Sequence, residues 1–122
     1  RVEALAEAID ESGAEGDLRS QASAIRAGLL DVRIRFLGDD TVRSRREAVL
    51  PGIRDRIQRV VGAFWSTADP TNTHRRQVEI VREQFGPANA ELVNLVEVQL
   101  AGLEAQADAA GVPWTPGRRI PR

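Results

Sequence analysis

The stretch that decides the fold is residues 17–38, DLRSQASAIRAGLLDVRIRFLG. Its apolar side chains recur every three or four residues, the spacing that places them on one face of an α-helix. Asp17 is suited to cap the first turn of that helix, and Gly38 is suited to end it. The stretch therefore predicts an amphipathic helix over 17–37 with one apolar stripe to bury. That stripe consists of Leu18, Ala22, Ile25, Leu29, Val32 and Phe36.

The same spacing predicts a second helix over 51–66. Pro51 suits its first turn, because proline has no N–H group to leave unpaired there. Trp65 lies off the apolar stripe, and we expect it to pack at the end of the bundle, on a neighbouring helix or on the tail. The stripe itself consists of Leu50, Ile53, Ile57, Val60 and Phe64.

A third helical run begins at Asp69-Pro70, which has the pattern of an N-cap followed by a first helical residue, and ends at Gly111. Gly86-Pro87 interrupts the run, since proline removes a backbone donor and clashes with the preceding turn. Two forms stay open, namely separate helices over 70–85 and 87–110 or a single kinked helix. The stripe consists of Val78, Val81, Phe85, Leu92, Val96, Leu100, Leu103 and Ala107.

A short helix over 2–12 completes the set, because its apolar residues also have helical spacing. A glycine-rich joint over 12–16 follows it. The loop over 38–49 contains the capping-box pattern that runs from Ser44 to Glu47, which favours one further turn of helix.

These elements predict an all-α fold, an antiparallel three- to four-helix bundle with a short N-terminal helix and an extended C-terminal tail containing Pro and Trp. No alternation of polar and apolar residues marks a strand. A chain of 122 residues has the size of one domain. We therefore assign residues 1–111 to a single helical bundle domain and residues 112–122 to the tail.

The composition excludes several kinds of site. Cysteine is absent, so the chain has no disulfide, no thiol nucleophile and no zinc–thiolate centre. No apolar run approaches the roughly 18 residues that span a bilayer, and we predict no membrane partner. All 17 basic residues are arginine, which favours a GC-rich bacterial source. The chain begins at Arg1 within a helical pattern, and we expect it to be a fragment of a longer protein.

Charge is unevenly distributed, although the net charge is only −1. Residues 18–82 are rich in arginine, and the segments on either side are acidic. Arginines over 43–59 have the density of a nucleic-acid footprint. The sequence pI near 5.9, the absence of lysine and the few aromatic side chains argue against that use. We predict a solvated arginine face, mostly paired within the chain, and no nucleic-acid partner.

No group of residues has the pattern of a catalytic centre. His74 is the only histidine, and no carboxylate lies three or four residues away to orient it as a general base. We predict that it is a first-turn surface or interface residue. Glu79 and Glu83 are four residues apart, but neighbouring arginines explain them as partners in helix salt bridges. The sequence therefore predicts no catalytic residue, no cofactor and no metal.

The C-terminal tail is the most distinctive segment. Gly111 is suited to cap the last helix, and we expect Val112 to cover its last turn. Pro113 and Pro116 stiffen the chain beyond it, and Pro116-Gly117 has the pattern of a turn. In the more economical interpretation, Trp114 lies against the bundle. In the other, the P-x-x-P-x-R pattern that ends at Arg118 docks on an aromatic groove of a partner. The candidate structural or interaction residues are Trp114, Pro113, Pro116, Gly111, His74 and Trp65.

Two segments of the chain together indicate a protein family more specifically than either segment does alone. They are residues 70–80, PTNTHRRQVEI, and residues 109–118, AAGVPWTPGR. Together they resemble the C-terminal helical region of bacterial sortilin-like proteins with BNR (Asp-box) repeats, which are often labelled glycosyl hydrolases. The resemblance implies an exported, periplasmic or extracellular parent in which a β-propeller and a β-sandwich-like segment precede this helical region. It places no catalytic residue on this chain, because the Asp-boxes belong to the propeller.

Our leading expectation is a non-catalytic structural or interaction domain at the C-terminus of that larger protein. Its partner would be a neighbouring domain of the parent or another protein. One alternative is a supporting fragment of a glycoside hydrolase whose active site lies in the propeller. The other is a helical adaptor that self-associates through an exposed apolar stripe. The sequence leaves the oligomeric state open.

Overall fold

The computed structural model describes residues 1–14, 16–65 and 69–118. Within these ranges every regular element is helical and no strand occurs, which confirms the predicted all-α helical bundle. The elements are α1 (Val2–Ser12), α2 (Leu18–Leu37), α3 (Asp40–Ser44), α4 (Ile53–Ala63), α5 (Asn72–Val93), a π-helical segment (Asn94–Leu100) and α6 (Ala101–Ala109).

The helix through Gly86-Pro87 is continuous, which decides between the two forms that the sequence left open. Pro87 cannot donate to the carbonyl group of Glu83, four residues earlier. Both residues are exposed, so water can satisfy that carbonyl group and the helix continues.

The irregular turn lies later, in the π-helical segment Asn94–Leu100. Leu95 and Leu100 are both buried although they are five residues apart. Hydrogen bonds in a π-helix join residues five apart, so its wide turn brings both side chains towards one face. The predicted stripe used Val96 instead, which is only half-buried. The fully buried apolar residues of this continuous helix are Ala88, Leu95, Leu100, Leu103 and Ala107.

The predicted helix ends are correct at two glycines. Gly38 has a left-handed backbone (φ +84°) directly after α2. Gly111 has the same conformation (φ +73°) and forms a Schellman motif, in which Val112 N donates to Ala107 O at 3.0 Å and Gly111 N donates to Asp108 O at 3.1 Å. Val112 thereby reaches the core, as predicted.

The helix starts differ from those predicted. α3 begins after Asp39, whose carboxylate accepts from Thr41 N at 2.9 Å and caps the first turn. The predicted capping box at Ser44 is therefore wrong, because Ser44 ends this helix and its hydroxyl donates to Thr41 O. α4 begins at Ile53 rather than at residue 51, and it ends at Ala63 rather than at residue 66. Residue 66 lies outside the described ranges.

The chain divides into two compact units. Unit 1 comprises residues 1–30 and 92–122, and its described part lacks residue 15 and residues 119–122. Apolar side chains of α1, the first half of α2, α6 and the tail form its core. They are Val2, Leu5, Ala8, Ile9, Leu18, Ala22, Ile25, Leu100, Leu103, Ala107 and Val112. The assignment of residues 1–111 to a single domain stays a prediction.

Unit 2 comprises residues 31–91, of which residues 66–68 lie outside the described ranges. Its tightest contact joins the end of α2 to the start of α4, where an ideal Cβ atom built on Gly52 would lie 2.6 Å from Gly38 N. Asp55 Oδ2 accepts from Arg43 Nη2 at 3.0 Å and from Gly52 N at 3.3 Å, which ties α3 to the start of α4. The ring of Phe36 meets that of Phe85 edge to face, with centroids 5.9 Å apart.

Candidate functional site

The tail of unit 1 turns back onto the last helix. Thr115 O accepts from Arg118 N at 3.1 Å across a turn in which Gly117 has a left-handed backbone (φ +84°). Proline before glycine suits a type II turn of this kind, so the predicted turn at Pro116-Gly117 is present. The turn directs Arg118 towards the carboxyl end of α6.

Arg118 is the residue that anchors the tail. Its side chain is only 1% exposed. Its guanidinium donates to Glu104 O at 2.8 Å and to Pro113 O at 3.2 Å, and it pairs with Asp108 at 3.0 Å. Glu104 lies within α6, so its carbonyl oxygen also accepts the helical hydrogen bond from residue 108, and the guanidinium uses the second lone pair of that oxygen. The carboxyl half of a helix carries the negative end of its dipole, so an arginine is suited to this position. We call Arg118, Glu104 and Asp108 the tail clamp.

The tail clamp extends to the start of the chain. Glu104 is buried, and its Oε1 accepts from Arg1 Nη2 at 2.7 Å and from Arg1 Nε at 3.1 Å. A buried carboxylate requires such a partner, because an isolated charge inside a protein is costly. Glu104 therefore binds two other segments: its carboxylate binds Arg1, directly before α1, and its backbone carbonyl group binds Arg118 of the tail.

Two expectations about the tail are not met. Trp114 is 60% exposed, so its indole does not lie against the bundle as predicted. The residues that pack are Val112, Thr115 and Arg118, which point inward where the intervening residues point outward. The docking interpretation of the P-x-x-P-x-R pattern also loses its arginine, because Arg118 is buried in the tail clamp. Pro113 and Pro116 are exposed.

His74 has a structural position at the start of α5. Its backbone N donates to Thr71 Oγ1 at 3.4 Å, and its ring Nδ1 accepts from Thr71 N at 3.2 Å. This reciprocal arrangement is a capping box in which histidine takes the place usually held by Glu or Gln. The N-cap is therefore Thr71 rather than Asp69, and the helix begins at Asn72.

The most exposed apolar surface of unit 2 lies along α4 and the turn after it. It consists of Ile57, Val61, Phe64 and Trp65, whose spacing places them along one side of the helix. We call these four residues the α4 face. Trp65 is 90% exposed and Phe64 is 73% exposed. The prediction that Ile57 and Phe64 belong to the buried stripe is therefore wrong. The expectation that Trp65 packs at the end of the bundle is not met either, because its indole is exposed.

α4 packs through another side. Ile53 is buried, and Arg56, Val60 and Ala63 are partly buried. Adjacent apolar residues Val60 and Val61 point to different sides of a helix, and this pair is the signal by which the sequence shows two apolar faces. Periodicity alone did not identify which of the two is covered.

One arginine lies on the α4 face. Arg54 is exposed three residues before Ile57, on the same side of the helix, and it has no ion-pair partner among the described residues. Arg59 is also exposed and without such a partner, but helical spacing places it on the far side of α4. The one carboxylate of α4, on Asp55, already pairs with Arg43. Elsewhere in unit 2, Arg35 pairs with Asp31 and Glu91, and the hydrogen bonds that its guanidinium donates to these two carboxylates raise its pKa. The α4 face therefore carries one positive charge, that of Arg54, without a partner among the described residues.

Among residues 1–14, 16–65 and 69–118, no cluster of three or more histidine or acidic side chains has a geometry that suits a metal ion. The predicted pairing of the glutamates on α5 is present in part, because Arg76 Nη1 lies 2.9 Å from Glu79 Oε2. No helix in the described ranges has the length and apolar character needed to cross a membrane.

The chain was compared with known protein families, curated proteins and solved structures. No protein-family model, curated protein or solved structure matches the chain. The resemblance of residues 70–80 and 109–118 to sortilin-like proteins therefore stays a prediction.

Proposed function

We propose that this chain is a non-catalytic helical interaction domain whose α4 face docks on an acidic, amphipathic helix of a partner. The observation that carries the proposal is the exposure of Trp65 and Phe64 at the end of an apolar stripe. Tryptophan is among the residues that dominate binding energy in protein interfaces. Contiguous exposed apolar surface marks interaction sites more often than isolated apolar residues do.

The unpaired charge of Arg54 supports an acidic partner. Arg54 lies on the same side of α4 as Ile57 and Val61, and no carboxylate of the described residues pairs with it. Two copies of the α4 face packed against each other would bring the two Arg54 charges into one interface, which opposes association. This argument counts against the self-associating adaptor and favours a partner with carboxylates beside its apolar stripe.

The larger setting belongs to the same proposal. A C-terminal position in an exported bacterial β-propeller protein would supply such a partner in a neighbouring domain or in another protein. The support for that setting is the resemblance of the two quoted segments. The upstream reading frame tests it, since Asp-box repeats and a signal peptide are expected there.

The emission of Trp65 tests the docking directly. The Trp114→Phe variant leaves Trp65 as the only tryptophan, because the chain has two. We expect a synthetic amphipathic helix of leucine and glutamate, about three heptads long, to shift this emission to the blue and to protect it from acrylamide. The same helix with lysine for glutamate should bind at least about tenfold more weakly, an effect of roughly 1.4 kcal/mol.

Two further variants serve as controls. Val61→Asp places a charge within the α4 face and should abolish the emission shift. Ala105→Asp places the same charge at an exposed position of α6 in unit 1 and should leave the shift unchanged. Equal binding of the glutamate and lysine helices would contradict the proposed acidic partner.

A further inference from the structure

A cleft lies within unit 2, on a different side of α4 from the α4 face. Its volume is about 460 Å³, which falls within the range of small-molecule sites. It is formed by the end of α2, the residues around the start of α4 and the middle of α5. Its apolar lining consists of Ile34, Leu50, Pro51, Ile53 and Pro87.

One guanidinium in this lining lacks a counter-charge. Arg56 Nη1 donates to the neutral side chain of Gln77, with Oε1 at 2.7 Å. Arg56 Nε is buried and has no hydrogen-bond partner among the described residues. No carboxylate of those residues forms an ion pair with Arg56. Because Nε is covered by protein atoms, a ligand in the cleft would meet the outer nitrogens of this guanidinium, whose charge no described carboxylate balances.

The lining has two other charged groups, of which Arg35 is engaged and Glu83 forms no ion pair within the described residues. Arg35 is held by the carboxylates of Asp31 and Glu91. Glu83 is exposed and contributes to raising the pKa of the Arg76 guanidinium, after the larger effect of the hydrogen bond from Arg76 to Glu79. Arg56 is therefore the group of the lining that a ligand anion would meet.

We propose that this cleft binds a small monocarboxylate with an apolar body, whose carboxylate Arg56 holds. A guanidinium presents paired N–H groups that match the two oxygens of a carboxylate. The ligand supplies the counter-charge that Arg56 lacks, and its apolar body covers Ile34, Ile53 and Pro87. This inference goes beyond the proposed docking function, because it concerns a different side of α4 and a different class of ligand.

Octanoate, octanol and octylamine are suitable probes, since they share one apolar chain and differ in charge. Binding to the whole chain is measured by titration calorimetry and by amide chemical shifts. We expect octanoate to bind, with shifts around Ile53 and Pro87, and octanol and octylamine to bind at least about tenfold more weakly. The proposal is overturned if octanoate does not bind, or if the three probes bind alike.

Three variants locate the binding. Arg56→Gln keeps a polar side chain but removes the charge, and it should weaken octanoate binding at least about tenfold. Arg54→Gln makes the same change two residues away, outside the cleft lining, and should have no effect. Gln84→Trp fills the mouth of the cleft without changing Arg56 and should abolish binding. Gln84→Trp keeps the test decisive if Arg56→Gln fails to fold.

The outcomes separate this inference from the docking proposal. Val61→Asp disrupts the α4 face and should leave octanoate binding unchanged. Equal losses in Arg54→Gln and Arg56→Gln would show a general surface-charge effect and would overturn the cleft assignment. Undiminished octanoate binding to a folded Gln84→Trp variant would overturn it as well.

Discussion

Replacing Arg118 with leucine is expected to lower the free energy of unfolding by about 3 kcal/mol. The substitution removes the hydrogen bonds from the guanidinium to Glu104 O and Pro113 O, the first of which is buried. Glu104 O keeps its helical donor, and Pro113 O loses the donation from Arg118. It also removes the partner of Asp108. Thermal unfolding should show a melting temperature lower by roughly 10 °C for a chain of this size.

Trp114→Ala is the matched control for Arg118→Leu. It deletes a larger side chain from the same tail, but that side chain is 60% exposed and makes little buried contact. We expect a change below about 1 kcal/mol. Arg118→Lys should lie between the two, because an ammonium group cannot reproduce the paired geometry of a guanidinium. A larger loss in Trp114→Ala than in Arg118→Leu would contradict the tail clamp and would restore the tryptophan as the anchor.

Replacing Gly52 with alanine is expected to destabilise unit 2 by about 3 kcal/mol. The backbone of Gly52 is extended (φ −69°), so alanine could adopt it without strain. The obstacle is space, since the new Cβ atom would lie 2.6 Å from Gly38 N and 2.8 Å from Phe36 O. These are backbone atoms, and relief requires that the end of α2 and the start of α4 move apart. Amide hydrogen exchange should become faster in both places.

Gly62→Ala is the matched control for Gly52→Ala. Gly62 lies in the same helix, and a Cβ atom added there meets nothing within 4 Å. Alanine has the higher helix propensity, so this variant should be more stable than the parent by about 0.5 kcal/mol. Opposite signs for the two substitutions are the expected result. A neutral Gly52→Ala would show that the two backbones do not approach as closely as the structure has them.

The sequence predicted α2 well because nearly its whole stripe is covered. Leu18, Ala22, Ile25 and Val32 are buried, as their spacing indicates. The two glycines that were predicted to end helices, Gly38 after α2 and Gly111 after α6, also have the expected left-handed backbone. The spacing of apolar residues and the backbone preference of glycine are local properties, so both can be read from the sequence.

The α4 region was harder to predict, for a physical reason. Helical spacing shows which residues share a side of a helix, but it does not show whether another element covers that side. Val60 and Val61 belong to different sides, and only the first faces the core. The same limit explains Leu50, which has stripe spacing but is 85% exposed before the helix begins.

The tail clamp could not be predicted from spacing, because it depends on contacts between distant parts of the chain. Arg118 meets a helix carbonyl group 14 residues earlier, and Arg1 meets a carboxylate 103 residues later. The turn at Pro116-Gly117 was visible in the sequence, but the direction in which it points Arg118 was not. The π-helical segment was also invisible, since α-helical spacing fits Val96 as well as it fits Leu95.

The central claim is that the α4 face docks on an acidic partner, and site-specific photo-crosslinking in the cells that make the protein tests it most directly. A photoreactive side chain at Val61 should give an adduct, and one at the exposed Ala105 should not. Charge reversal of Arg54 to glutamate should remove the adduct. An adduct at residue 61 that survives charge reversal, or equal yields at residues 61 and 105, would contradict the claim.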